Sequence, residues 1–354
     1  MWKTDALGKF INVRLDLMRL QRSMYMKVAL IGYGYWGPNL ARNLNANKDI
    51  EFVGICELDK GRLDKARGVY GDRLLYESDY KKAYNHWTLD AVAIAVPTEH
   101  SFEIARAALE AGKHVFIEKP IASTVERAQI LIDKARENGL VIHCDHIMIY
   151  HPVIRYIKHM IQKGELGDLL YIDITRTNLG PIRSDINAMM DLAVHDIAVI
   201  NYLADNPDFE ELSAMGKVCY GRQETLTFLN IRYHNFIASI KSSWISPAKE
   251  RRTVIAGTKK MVVFDDVVVD NKLTIYDKGI EIQGSEEYGE YEVHTRLGDI
   301  IIPHINNEDA LQNSVKHFVE CIKEGKESLS GPEQSIRVMK VLEEASRQLR
   351  VIAE

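Results

Sequence analysis

The sequence predicts an α/β protein whose first part is a doubly wound parallel sheet and whose second part is richer in strands. Three observations carry this. Between Lys27 and about Asp145, short apolar runs alternate with helical patterns, as βαβ units require. The first of these runs ends in a glycine-rich turn that opens a helix. From Ser213 to about Val293, β-branched and aromatic runs separated by turn residues take over.

Length and composition set the frame. At 354 residues the chain exceeds one core of the usual size, so two domains are expected. A content of 46% hydrophobic and 27% charged residues is that of an ordinary globular protein. The net charge of -5, with no basic block, argues against a nucleic-acid partner. No apolar run approaches a membrane span, so no membrane partner is expected. Cys56, Cys144, Cys219 and Cys321 lie far apart and match neither a zinc spacing nor a disulfide framework, which reads as reduced thiols in a cytoplasmic protein.

Residues 1–25 mix Leu7, Phe10, Ile11, Leu15 and Leu17 with Arg14, Asp16, Arg19 and Arg22, a pattern no secretory signal has. They are read as an N-terminal extension, either an appended amphipathic helix or an upstream start, with no function assigned. Lys27 to Asn39, KVALIGYGYWGPN, follows directly. Val28 to Ile31 form a buried strand, and Gly32, Gly34 and Gly37 complete G-x-G-x-x-G, with Tyr35 and Trp36 inside the turn. The first glycine permits the tight turn, the second lets a pyrophosphate approach the backbone, and the third lets helix pack on strand. A pyrophosphate would sit on the free N–H groups at the helix start, the arrangement of a Rossmann dinucleotide site. Glu57 stands at the end of the second strand, 25 residues after Gly32, where it can accept hydrogen bonds from ribose hydroxyls. Its charge would repel a 2'-phosphate and so favours NAD over NADP, a preference that Lys60 and Arg62 nearby would soften. Turn glycines beside a solvated glutamate are the plainer alternative.

Strands are expected at 27–31, 51–56, 91–96, 114–117 and 140–144, with helices at 37–47, 59–68, 78–85, 100–111 and 124–138. Pro97, Thr98 and His100 then fall at the carboxyl end of the sheet, where ligands bind in open α/β sheets, although His100 reads equally well as a surface residue. At the next carboxyl end, His114-Val-Phe-Ile-Glu118-Lys119-Pro120 delivers Glu118 and Lys119 beside the place a nicotinamide would take. Lysine there can hydrogen-bond an oxygen that loses or gains hydride; a solvated charge pair is the alternative.

GYGYWG, VPTEH, AGKHVFIEKP and DLAVHD together resemble the glucose-fructose oxidoreductase and inositol dehydrogenase family, Gfo/Idh/MocA, over residues 26–354. The resemblance implies a Rossmann domain at 26–148. It also implies an α/β domain with a large, mostly antiparallel sheet at 149–354, whose last helix is free to return to the first domain. It implies a catalytic role for Lys119. Asp191 and His195 lie four apart in a helical stretch, 187–204, and so share a face. Such a pair alone is more often a surface contact, but family members carry Asp-x-x-x-His here, which joins Asp191 and His195 to Lys119 as the catalytic set. Two departures stand out: Ile149 replaces an arginine that many members carry, and Asn187 to Met190 replace a glycine pair or triplet. Ser243-Trp-Ile-Ser-Pro-Ala-Lys and Lys259 to Asp266 resemble a branch associated with nucleotide-sugar metabolism.

Asn178 and Arg183, in the polar loop 178–185, are candidate substrate contacts. His143-Cys-Asp-His146 invites a metal reading, but on a strand His143 and Asp145 face away from Cys144 and His146, so no metal is expected. A broad sheet with helices on one face leaves another to cover, so a homodimer or homotetramer through the C-terminal sheet is expected. The sequence therefore predicts an NAD-dependent oxidoreductase acting on a secondary alcohol or ketone of a sugar, first a nucleotide sugar at its C3 hydroxyl. A redox glycosidase that uses NAD transiently and a non-catalytic dinucleotide sensor are the alternatives.

Overall fold

The computed structural model describes residues 25–284 and 291–353. Except for Tyr25, the expectation for residues 1–25 lies outside the described residues. The chain divides into two compact units. The first takes the described residues through Ser123, Gln129–Asp145 and Leu311–Pro332; the second takes Thr124–Ala128, His146–Ala310 and Glu333 onward.

The first unit is an all-parallel sheet with order β3-β2-β1-β4-β5-β6. Its elements run β1 (Met26–Ile31), α1 (Gly37–Ala46), β2 (Ile50–Cys56), α2 (Lys60–Tyr70), β3 (Leu75–Glu77), α3 (Tyr80–His86), β4 (Ala91–Ile94), α4 (Thr98–Glu110), β5 (His114–Ile117), α5 (Val125–Glu137) and β6 (Ile142–Cys144). The central strands are buried on both faces, Val28, Leu30, Val92, Ile94 and Phe116 all having no exposure, as crossover helices dictate. Two of the helices, α2 and α3, start where a side chain takes up a free N–H group. Asp59 Oδ1 accepts from Arg62 N at 2.8 Å, and Asp79 Oδ1 from Lys81 N at 2.9 Å.

Two strand expectations need correction. Residues 75–77 form a sixth strand that the pattern did not announce. It is three residues long at the sheet edge with Leu75 exposed, so neither length nor burial leaves a periodic trace. The strand expected at 91–96 ends at Ile94, and Ala95 goes on to donate its N–H to Ile31 O as the chain leaves the sheet.

The second unit carries α6 (Pro152–Gln162), β7 (Leu169–Leu179), α7 (Val194–Leu203) and then β8 (Phe209–Lys217), β9 (Leu226–Tyr233), β10 (Ile237–Ser243), β11 (Ile245–Gly257), β12 (Met261–Asp265) and β13 (Leu273–Tyr276). A hairpin, β14 (Gly279–Gly284) with β15 (Tyr291–Arg296), and the short β16 (Ile300–Ile301) follow. The eight-stranded sheet has order β16-β13-β12-β11-β7-β10-β9-β8 and is antiparallel except between β7 and β10. One face is core: Phe236, Ala238, Ile240, Ser242 and Trp244 alternate inward and are buried. The other face exposes Tyr171 and its register partner Ile237, and Phe228 with its partner Met215. Two amphipathic helices close the chain, α8 (Ala310–Glu324) and α9 (Pro332–Ala353).

Candidate active site

In the first unit the three glycines are distinguished by what surrounds them. Gly32 has φ +97, and a Cβ there would lie 2.4 Å from Ala95 O; a Cβ on Gly37 would lie 2.6 Å from Gly32 O. Only glycine fits either place. Gly34 is different, because a Cβ would meet only the tip of Arg62, at 3.4 Å. The protein itself does not require glycine there, so the open backbone faces space that a ligand can use.

Glu57 is buried, and both its carboxylate oxygens are set by the backbone. Tyr33 N donates to Oε2 at 2.6 Å and Asp59 N to Oε1 at 2.9 Å. A carboxylate has about four acceptor positions, so two backbone donors orient it and leave capacity for a diol. Tyr35 is almost fully exposed, whereas Trp36 is half-buried. Pro97 and Thr98 open α4, and His100, one turn on, is exposed with its Nε2 3.3 Å from Glu99 Oε1.

The end of β5 places Glu118 beside the end of β6. Glu118 N donates to Ile94 O at 2.9 Å, and Asp145 N donates to Ile117 O at 2.8 Å. Burial pushes the Glu118 carboxyl well above the usual range and the neighbouring Asp145 charge adds to this, while Lys119 and the Trp36 indole work against it. Lys119 follows, joined to Pro120 by a cis peptide. Two thiols of this unit are held protonated: burial, with Glu77, Asp79 and Glu57, pushes Cys56 up to about 12, and burial pushes Cys321 up to about 11. All four cysteines are free. Among the described residues no group of three or more His, Cys, Asp or Glu could hold a metal ion, and no helix is long and apolar enough to cross a membrane.

In the second unit, the stretch expected as one regular helix opens instead with a π-turn, Met189–Ala193, ahead of α7. Asp191 sits in the middle of this π-turn and His195 follows in the first turn of α7; π-turns recur at functional sites. The turn is locked by Asn187: its Oδ1 accepts from Met190 N at 2.9 Å, and its Nδ2 donates to Glu224 Oε2 at 3.0 Å. Asp191 is held from two sides. Trp244 Nε1 donates to Oδ2 at 3.3 Å, and Arg183 Nη1 lies 3.5 Å from Oδ1. His195 is half-buried one turn above. Helix α7 is buried nearly all round, including Asp196, which takes Arg176 in a bidentate pair at 2.6 and 3.1 Å. Burial pushes Asp196 up, with Arg176 opposing it.

The candidate substrate contacts sit differently from expectation. Asn178 is in β7 rather than in a loop. Arg183 binds Asp185, with Nη2 to Oδ2 at 2.7 Å, while also facing Asp191, so its charge is engaged by the protein on two sides. Trp244, Asn187 and Glu224 were missed as site residues. Trp244, between β10 and β11, was legible only as part of the stretch that resembles the nucleotide-sugar branch, and the Asn187–Met190 spacing, an Asx contact at i+3, was the one local signal for the turn.

Two family models match this chain. The oxidoreductase family with an NAD-binding Rossmann fold, GFO_IDH_MocA, covers residues 26–146, and the GFO/IDH/MocA C-terminal domain covers 154–263. An inositol 2-dehydrogenase of Salmonella typhimurium is 28% identical over 57% of this chain, and the match spans only 60% of that protein. A UDP-N-acetylglucosamine 3-dehydrogenase of Acidithiobacillus ferrooxidans is 27% identical over 72% of this chain and 78% of its own. A solved structure of the latter superposes with a TM-score of 0.77 at 23% identity, covering 93% of this chain and 99% of that one. That likeness speaks for the fold.

Proposed function

Because this chain belongs to the GFO_IDH_MocA oxidoreductases, with their NAD-binding Rossmann fold, we propose that it moves a hydride between NAD and a secondary alcohol or ketone carbon of a sugar. A nucleotide sugar, reacting at its C3 hydroxyl, is the first candidate. The single observation that carries the reading is the Asp191 site: a carboxylate fixed by Trp244 and Arg183 on a π-turn, one turn below a histidine. An orienting carboxylate fixes the imidazole's tautomer, and a neutral histidine is the group that can take a hydroxyl proton near neutral pH.

The first unit fits the cofactor. The open backbone at Gly34 leaves room for a pyrophosphate, and Glu57, already oriented, has acceptor capacity for ribose hydroxyls and carries a charge that disfavours a 2'-phosphate. NAD, when bound, supplies the hydride acceptor. In the oxidative direction His195 takes the alcohol proton, Asp191 holds the ring in position, and Lys119 hydrogen-bonds the reacting oxygen. Reduction runs the same groups backwards. The exposed apolar face of the second sheet, with Tyr171, Phe228 and Ile237, supports a homo-oligomer formed through that sheet.

The test is turnover of NAD with UDP- and dTDP-sugars and free polyols, read by absorbance of the reduced nicotinamide. Reduction confined to one nucleotide sugar, and weakened about 10²–10⁴-fold in His195→Ala, is expected. Release of a free sugar with no net reduced cofactor would replace this reading with a redox glycosidase.

A further inference from the structure

Beneath the ends of β5 and β6 lies a polar chain that the proposed reaction does not use. Asp145, 1% exposed, accepts from Ser314 Oγ at 2.6 Å. Ser314 Oγ in turn lies 3.0 Å from His143 Nε2, and His143 Nδ1 lies 2.8 Å from Ser328 Oγ. Ser328 Oγ accepts from Ser330 N at 3.1 Å. His143 and Ser314 have no exposure at all, yet Ser328 borders a cleft of about 240 Å³ lined also by His114, Arg136, Gly139, Ile322 and Lys326.

With Asp145 ionised and His143 neutral, these contacts can be arranged in only one way. A carboxylate only accepts, so the Ser314 hydroxyl gives its proton to Asp145. Ser314 must then receive from His143 Nε2–H, which leaves Nδ1 as an acceptor for the Ser328 hydroxyl. A neutral histidine satisfies both ends, and every donor points toward Asp145. A buried run of this kind is costly unless each member is satisfied, and here each is. The ring is also clamped for the purpose: it stacks on Phe116 at 4.6 Å and meets Phe318 edge-on at 5.7 Å. Titratable groups near it include Asp145, just past the end of its own strand and joined to it through Ser314, and His317 on α8, whose ring centre is 6.3 Å away.

We propose that Ser328, His143 and Ser314 form a proton relay between the cleft and Asp145, serving the Glu118–Asp145 pair beside Lys119. In the inward direction Ser328 O–H passes its proton to His143 Nδ1 and is replenished from cleft water. His143 Nε2–H passes its proton to Ser314 Oγ, and the former Ser314 proton lands on Asp145. One O–H or N–H bond breaks for each that forms, His143 changes tautomer, and no redox partner is needed. The outward direction returns a proton from Asp145 to the cleft by the same steps reversed; that this supports turnover rests on the function proposed above. Burial first, and then the Asp145 charge, push the neighbouring Glu118 carboxyl up.

His143→Gln tests it sharply, because glutamine can still donate to Ser314 and accept from Ser328 but cannot shuttle a proton. Turnover should fall about tenfold or more, with a larger solvent deuterium isotope effect, a shifted pH profile and partial rescue by added imidazole. NAD affinity should stay unchanged. Ser314→Ala, which breaks the chain at a different point on a helix, should do the same without rescue. In the cofactor-free wild type, nitrogen NMR of the His143 ring should show the neutral Nε2–H tautomer across neutral pH. Wild-type isotope effects and pH profiles in both variants would overturn the relay, as would an Nδ1–H or cationic ring in the NMR. Should the wild type oxidise no alcohol, the dehydrogenase reading has failed, and the ring's tautomer alone decides the relay.

Discussion

The turn after β1 and the pocket around Asp191 both fix polar chemistry next to a sheet, but they do so at different ranges along the chain. At Gly32 the constraint is backbone against backbone, a φ of +97 and a carbonyl where a side chain would be. Glu57 is likewise held by N–H groups of Tyr33 and Asp59, one of them two residues away. Asp191 is held instead by Trp244, 53 positions later, and its turn by Glu224 through Asn187. Where the backbone does the fixing, residue identity is forced locally and shows as a motif. Where side chains from distant strands do it, the same precision leaves only a two-residue spacing in the sequence.

The largest effect that would break this contrast is at the glycines. Gly32→Ala should cost about 3 kcal/mol or more, the sum of a left-handed backbone and an overlap that only backbone can relieve. Gly34→Ala should leave stability within about 0.5 kcal/mol of wild type, since only the end of Arg62 is near. It should weaken NAD at least about tenfold by intruding where the ligand approaches. Thermal unfolding separates the first pair and NAD titration the second. Unchanged NAD binding in Gly34→Ala would remove the cradle from that turn.

How far the sequence was legible follows from the same contrast. The parallel sheet and the strand-rich stretch after Ser213 showed because burial selects apolar and β-branched runs there. Residues 75–77 did not, since an edge strand of three residues with an exposed leucine buries too little to leave one. The π-turn at 189–193 was read as regular helix, because hydrophobic spacing does not distinguish i→i+4 from i→i+5 winding over a single turn. Arg183 was legible as a polar loop residue, but nothing local announced that Asp185 and Asp191 would both engage it.

A smaller effect sharpens the long-range half. Trp244→Phe keeps the aromatic body in the core and removes only the N–H that reaches Asp191. A hydrogen bond to a charged group is worth about 1.5–3 kcal/mol, so turnover should fall about tenfold or somewhat more, with the KM for NAD unchanged. A fall in NAD affinity with kcat intact would mean that the tryptophan supports packing rather than the orientation of Asp191.

The smallest effect concerns Glu118, where the two ranges meet: a residue placed by a local motif has its carboxyl pushed up first by burial and then by Asp145, just past the end of the neighbouring strand. Its folded-state carboxyl titrates above the ordinary glutamate range, so between those two points the folded chain holds a proton that the unfolded chain has released. Stability must therefore decline as pH rises out of the ordinary glutamate range, at up to about 1.4 kcal/mol per pH unit from this group, and level off once Glu118 ionises in the folded state. Below that window both states are protonated and the group contributes nothing. Glu118→Gln, neutral and nearly the same shape, should remove this decline while leaving stability at pH 4 close to wild type. Denaturant melts across the pH range read it directly. Parallel curves for the two proteins would show that burial beside Asp145 does not hold the Glu118 proton.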